Sequence, residues 1–133
     1  TQIIPLNMAE PGLLVRGTRT DRNLGFAPHG AGRNMSRSAH KRSLGGRNEK
    51  EVFAAEAQGI DARFWSNRID TSELPSSYKP AATVQAQMAK FGLATTVDRI
   101  LPYGSIMAGD WEYDAPWKVK ARAKRAAKEA NAG

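Results

Sequence analysis

The sequence predicts an α+β fold of mixed strands and helices, without the strict βαβ alternation of a doubly wound sheet. Three observations carry this reading. Short apolar runs bounded by Gly and Pro occur near residues 2–16 and again near 93–108. Helix-like segments lie between Asn, Pro and Gly signals over 49–58 and 81–91. The stretch 17–32 is rich in Gly, Arg, Asn and Pro and reads as a loop.

Taken in order, residues 2–6 and 12–16 read as strands (Ile3, Ile4 and Leu6; Leu13, Leu14 and Val15) separated by a turn at Pro11-Gly12. A helix is expected from Gly32 or Arg33 to about Arg42, broken by Leu44-Gly45-Gly46. Asn48, with Glu51 three residues on, is a capping pair for a helix over Glu49–Gln58, with Val52, Phe53 and Ala57 at helical spacing and a stop at Gly59. Residues 60–69 read as a strand and Leu74–Tyr78 as a loop. Pro80 suits a first helical turn, and Ala81–Phe91 is a helix closed by Gly92. Leu93–Leu101 and Tyr103–Ala108 read as strands split by Pro102. Trp111, Tyr113 and Trp117 read as a packed strap, their interleaved acids (Asp110, Glu112, Asp114) arguing against base stacking. Residues 117–133 form a basic tail, an exposed frayed helix or disordered, appended to a segment over 1–116.

The chain has 133 residues, enough for one modest core, and at 41% hydrophobic it is not composed like a disordered chain. It has no cysteine, which excludes disulfides and thiolate metal ligands from this chain. No apolar run approaches a membrane span, and no signal-peptide pattern opens the chain. A cytoplasmic location and no membrane partner are expected. The first residue, Thr1, leads directly into an apolar run, so the chain is expected to be the C-terminal part of something longer.

The net charge of +7 is concentrated in two places. Arg16, Arg19, Arg22, Arg33, Arg37, Lys41, Arg42 and Arg47 are opposed locally by Asp21 alone, and Lys118, Lys120, Arg122, Lys124, Arg125 and Lys128 fill the tail. Two basic patches favour a polyanion, foremost a nucleic acid. For the tail, a merely solvated charged surface is an equal reading.

The chemistry concentrates in Ala27–Arg42, APHGAGRNMSRSAHKR. Gly30 and Gly32 flank Ala31 just ahead of the expected helix, where small residues allow positive φ and close approach of an anion to backbone amides. The turn is not a Walker loop, since no Gly-Lys-Ser/Thr follows. His29 alone reads as a histidine satisfied by backbone. Beside this turn it reads as a phosphorus nucleophile, kept neutral by the positive end of the helix. Arg33 and Arg37, four apart, are expected on one helix face, where guanidinium forks fit phosphate oxygens. His40, Lys41 and Arg42 add further basic groups. Tyr78, in a Pro/Ser loop before Lys79, either stacks on a base or packs in the core. His29 and His40 do not combine with a carboxylate pair into a metal site, so no metal ligand is assigned.

These residues resemble the C-terminal part of the RtcB family of RNA ligases, in a divergent branch. The likeness runs through IIPLNM (Ile3–Met8), LLVRG (Leu13–Gly17), HGAGRNMSR (His29–Arg37), GIDARFWSNRID (Gly59–Asp70), ELPSSYK (Glu73–Lys79) and ILPYGSIMAG (Ile100–Gly109). It implies a ligase joining RNA 3′-phosphate or 2′,3′-cyclic phosphate ends to 5′-hydroxyl ends, using GTP and manganese, through a guanylylated histidine. That histidine would be His29. Pro5, Leu6, Asn7, Met8, His29, Gly30, Ala31, Gly32 and Tyr78 would bind the guanylate, and Arg33 and Arg37 the RNA phosphate. Manganese ligands are expected upstream of this chain, in the other half of the same protein, and archease is a partner of some members. The commonest family form has Pro-Gly-Ser-Met where this chain has Pro5-Leu6-Asn7-Met8, and a Lys-Gly pair where it has Met107-Ala108. These departures motivate the competing expectation, a nucleic-acid-binding or RNA-repair module without ligase activity.

Overall fold

The computed structural model describes residues 1–133. The first apolar runs build two strands of a three-stranded antiparallel sheet. Strand β1 (Gln2–Ile4) pairs with β2 (Gly12–Gly17), placing Ile4 opposite Leu13. On its other side β2 pairs with the strand Ala94–Ile100, with an irregularity between Leu14 and Val15. One face of this sheet is apolar: Ile4, Leu13 and Val15 are fully buried. The helix Ala81–Lys90 lies over them and inserts Val84 and Met88, one turn apart. Leu6 and Ala31 complete this core.

The helices in chain order are α1 (Arg37–Ser43), α2 (Glu49–Glu56), α3 (Ala81–Lys90) and α4 (Pro116–Ala132). The remaining strands are β3 (Asp61–Phe64), β4 (Ala94–Ile100) and β5 (Gly104–Met107). β3 and β5 form a parallel pair. Gly104 is required there, because a Cβ at that position would stand 2.7 Å from the Asp61 carbonyl oxygen. A smaller cluster of Leu44, Val52 and Leu74 sits under α1 and α2, with Met8 and Phe53 against it. Asn48 caps α2 as its sequence position predicts, accepting from the amides of Lys50 (2.9 Å) and Glu51 (3.3 Å).

The architecture is α+β, as the sequence indicates, but several boundaries move. The largest shift is at α1, which begins at Arg37 rather than at Gly32 or Arg33. Residues 32–34 are drawn instead into a bridge with 77–79: Asn34 N donates to Ser77 O (3.2 Å) and Lys79 N to Gly32 O (2.9 Å). Ser36 then caps the helix, accepting from Ala39 N. β3 ends at Phe64 and not near 69, because the chain turns at Asn67 with φ +57°. The expected loop Leu74–Tyr78 is wound into a 3-10 turn, Pro75–Ser77, the second of two; the first, Thr71–Glu73, precedes it.

His40 does not lie on the surface with the basic groups beside it. It is buried, and its Nε2 lies 2.7 Å from Ser76 Oγ, whose hydroxyl donates to Glu56 (2.9 Å). An ionised carboxylate only accepts, so Ser76 uses its proton on Glu56 and takes the Nε2 proton of His40. The histidine thereby ties α1 to the second 3-10 turn.

The aromatic strap is only partly packed. Trp111 and Trp117 are about two-thirds exposed, at 66% and 62%. Tyr113 alone is held, its ring lying between the guanidinium groups of Arg68 (4.0 Å) and Arg122 (3.8 Å). α4 extends beyond it with no buried residue.

Candidate functional site

The glycine turn sits at the edge of the sheet core. Gln2 donates to the carbonyl of Pro28 (3.0 Å), and Ala31 is buried in the core, so His29 is fixed between two anchored neighbours. Ahead of the turn, Asn23 organises the loop. Its carbonyl oxygen accepts from the amides of Thr20 and Gly25, both at 2.9 Å, and its amide donates to Thr18 O at 2.7 Å. Gly32 adopts φ +74°, a conformation that favours glycine. Gly30 does not need one; a Cβ there would make only ordinary contact with Pro5 O at 3.5 Å.

This turn borders a cleft of about 510 Å³. The Pro5–Met8 segment forms its floor; His29 to Arg33, with Tyr78 and Glu73 bonded to Arg33, line its wall, and Ser105 and Met107 of β5 complete the lining. The floor is rigid. Leu6 is buried in the core, and Asn7 Oδ1 accepts from the amides of Ala9 (2.9 Å) and Glu10 (3.0 Å), folding the chain back. All nine residues expected to surround a guanylate therefore border one cavity. His29 is exposed at its rim, and no side chain of this chain hydrogen-bonds its ring. The helix-dipole argument for His29 does not hold, because α1 starts eight residues later and is only seven residues long.

Arg33 and Arg37 do not share a helix face, since only Arg37 belongs to α1. They converge nevertheless, on Glu73. Its Oε1 accepts from Arg33 (3.2 Å) and from Arg37, and its Oε2 accepts from the Tyr78 hydroxyl (2.9 Å). Arg33 also donates to the Ser72 carbonyl and lies 4.8 Å from the Tyr78 ring centroid. Arg37 reaches Ser72 Oγ at 2.9 Å and lies 4.0 Å from Asp70. Lys41 stands 3.6 Å from the other Asp70 oxygen. Three cations thus face two carboxylates, with one positive charge in excess.

The network shifts its members. The hydrogen bond from Arg37 to Glu73 raises the Arg37 pKa further. Burial and the hydrogen bond to Glu73 raise that of Tyr78, so its hydroxyl stays protonated. Burial alone would raise Asp70, but the Ser72 hydroxyl and amide together with Lys41 and Arg37 outweigh it and hold the carboxyl below its usual range. Arg33 is the more enclosed arginine, its side chain 22% exposed against 55% for Arg37, so Arg37 has donors left for a ligand.

Glu73, Ser105 and Met107 are cleft residues that sequence reasoning missed as site residues. Met107 had a signal in the resemblance alone, which expects a lysine at its place. Glu73 had none, since its arginine partners lie 36 and 40 residues away. No group of three or more His, Asp or Glu side chains is placed to hold a metal ion, so the residues of this chain do not fit manganese. No helix is long and apolar enough to cross a membrane.

Residues 1–108 match the family model described as tRNA-splicing ligase RtcB. The tRNA-splicing ligase RtcB of Methanopyrus kandleri is 33% identical over 106 residues, covering 78% of this chain and 10% of that protein. The protein of the same name from Archaeoglobus fulgidus is 33% identical over 104 residues (77% of this chain, 21% of that protein), and that from Pyrococcus horikoshii 32% over 105 residues (77% and 12%). The chain thus spans between 10% and 21% of the length of these relatives.

Proposed function

Because the chain belongs to the RtcB family of tRNA-splicing ligases, we propose that it forms the guanylate-handling part of a GTP-dependent RNA ligase in which His29 is the covalent carrier. The observation that supports this most is the single cleft bordered by His29, the Gly30–Gly32 turn, the Pro5–Met8 floor and Tyr78. An imidazole nitrogen of His29 attacks the α-phosphorus of GTP. The P–N bond forms as the bond to the β-phosphate oxygen breaks and pyrophosphate leaves. The guanylate then passes to an RNA 3′-phosphate, restoring the neutral ring. A 5′-hydroxyl attacks that activated phosphate, and GMP departs.

In this reading Gly32 and Gly30 let the backbone approach the phosphate, Tyr78 flanks the base, and Arg37 meets the RNA phosphate with donors that Glu73 leaves free. Arg33 holds the Tyr78 wall and contacts phosphate second. Manganese, when bound, supplies a counter-charge for phosphate; its ligands belong to the rest of the protein, and no step here runs through it. RNA ends with 3′-phosphate and 5′-hydroxyl groups are the substrates, archease a partner, and the cytoplasm the setting.

The test is intact mass of the full-length protein after exposure to GTP with manganese. A gain equal to one GMP is expected, and none with His29→Ala. No adduct under any of several divalent metals would overturn the reading. One observation favours an alternative, an RNA-binding module without ligation: both arginines are engaged by Glu73, and the cleft carries Met107. That alternative expects salt-sensitive RNA binding with no need for GTP, and ligated product rules it out.

A further inference from the structure

The two basic clusters are more than 70 residues apart in sequence, yet the fold brings members of both, Lys41 and Arg42 with Arg125 and Lys128, to one groove. α1 and α4 border a second, wholly distinct groove of about 680 Å³. Ser38, Lys41 and Arg42 form one wall; Arg125, Lys128 and Glu129 form the other. Lys41 is turned partly toward Asp70, and Glu129 contributes the groove's one acidic group. Arg42, Arg125 and Lys128 face solvent in the groove, each exposed.

The position of α4 is set by built contacts. Arg122 donates to the Tyr113 carbonyl (2.6 Å) and covers one face of its ring, while Arg68 covers the other. Lys118 pairs with Asp110 at 2.6 Å. Lys118 and Arg122 are thus turned toward the strap. Arg125, Lys128 and Ala132, at i, i+3 and i+7, then fall on the stripe facing α1. α4 lies beyond residue 108, where the family match ends.

We propose that this α1/α4 groove is a second RNA-binding surface, which grips the phosphodiester backbone of the RNA away from the cleft. With four cationic side chains against one carboxylate, the groove carries a net positive charge that concentrates a polyanion and reads no sequence. A membrane surface fits less well. Past Val119, α4 has no apolar side chain larger than alanine, so it has nothing to insert below lipid headgroups. The choice of RNA rests on the ligase reading above; the two-walled geometry does not.

The experiment is fluorescence anisotropy of a labelled single-stranded RNA with the full-length protein over a salt series. Three variants are compared: Arg125→Glu/Lys128→Glu on the α4 wall, Arg42→Glu on the α1 wall, and Lys120→Glu/Lys124→Glu, equal in charge change but outside the groove. The first should weaken binding about tenfold and lower the log–log salt slope by about 1.4, two lost contacts on a single strand. Arg42→Glu should weaken it about threefold, and the control pair less than threefold. Equal loss in both α4 pairs, or no effect of Arg42→Glu, overturns the groove. So does a variant that loses binding to phosphatidylserine vesicles while keeping RNA. GMP adduct formation by the same variants should be unchanged. If wild type forms no adduct yet RNA binding follows this pattern, the ligase reading fails and the groove stands.

Discussion

The cleft and the α1/α4 groove are positioned by opposite means. The cleft stands on burial: Leu6 and Ala31 belong to the same core as Ile4, Leu13 and Val15, so its floor and His29 wall move only if the sheet moves. α4 buries nothing and is held by a tyrosine between two arginines and by a lysine–aspartate pair. Burial fixes atoms closely enough for bond-making geometry, where small displacements cost rate. Charge over an open groove needs no such registration, because a phosphate backbone is attracted at distances of several ångströms. Each device therefore matches the demand made on its region.

The strongest way to break this contrast is Leu13→Ala, which empties a fully buried position on the central strand. A loss of about 3 kcal/mol in urea unfolding is expected. Deleting residues 116–133 should lower the same unfolding free energy by less than about 0.5 kcal/mol. If the deletion were the more damaging change, α4 would be part of the core after all.

A smaller effect should sharpen the account of the cleft. Glu73→Gln removes the charge that gathers Arg33, Arg37 and Tyr78. These pairs are partly exposed, so the expected loss of stability is only about 1–2 kcal/mol. The freed guanidinium groups should at the same time bind pyrophosphate more tightly by calorimetry. A destabilised variant with unchanged pyrophosphate affinity would mean that the arginines serve the wall and not the ligand.

These two substitutions also mark what could be read from residues alone. The strand that carries Leu13 and Val15 was legible because its apolar run is bounded by a Pro11-Gly12 turn, and Asn48 because a cap is a local hydrogen bond. The glycine turn was legible for the same reason: its signal is confined to Gly32 and its neighbours. The start of α1 was not. Arg33 has helical neighbours in sequence, but its backbone is claimed by Tyr78, 45 residues on. Glu73 and the burial of His40 likewise depend on partners brought together only by folding. Local chemistry was visible, and the polar contacts that join distant segments were not.

The smallest effect comes where the two regions meet. Asp70 lies beside the cleft network and is paired with Lys41, a residue of the groove wall. Its folded carboxyl is held below the usual value, so the unfolded chain takes up the proton first as pH falls. The stability it contributes is present above the ordinary carboxylate pKa of about 3.9 and is lost as pH drops through the lower folded value. Asp70→Asn should therefore lower stability at pH 7 by less than about 1 kcal/mol and flatten the decline below about pH 4 in urea midpoints. The same substitution releases Lys41 into the groove, so RNA affinity at pH 7 should rise slightly, by less than threefold. A cost in one region and a gain in the other from a single side chain is the outcome specific to this arrangement. A fall in both would mean that Lys41 needs Asp70 to face the groove, and that the groove is then built by the same network that holds the cleft.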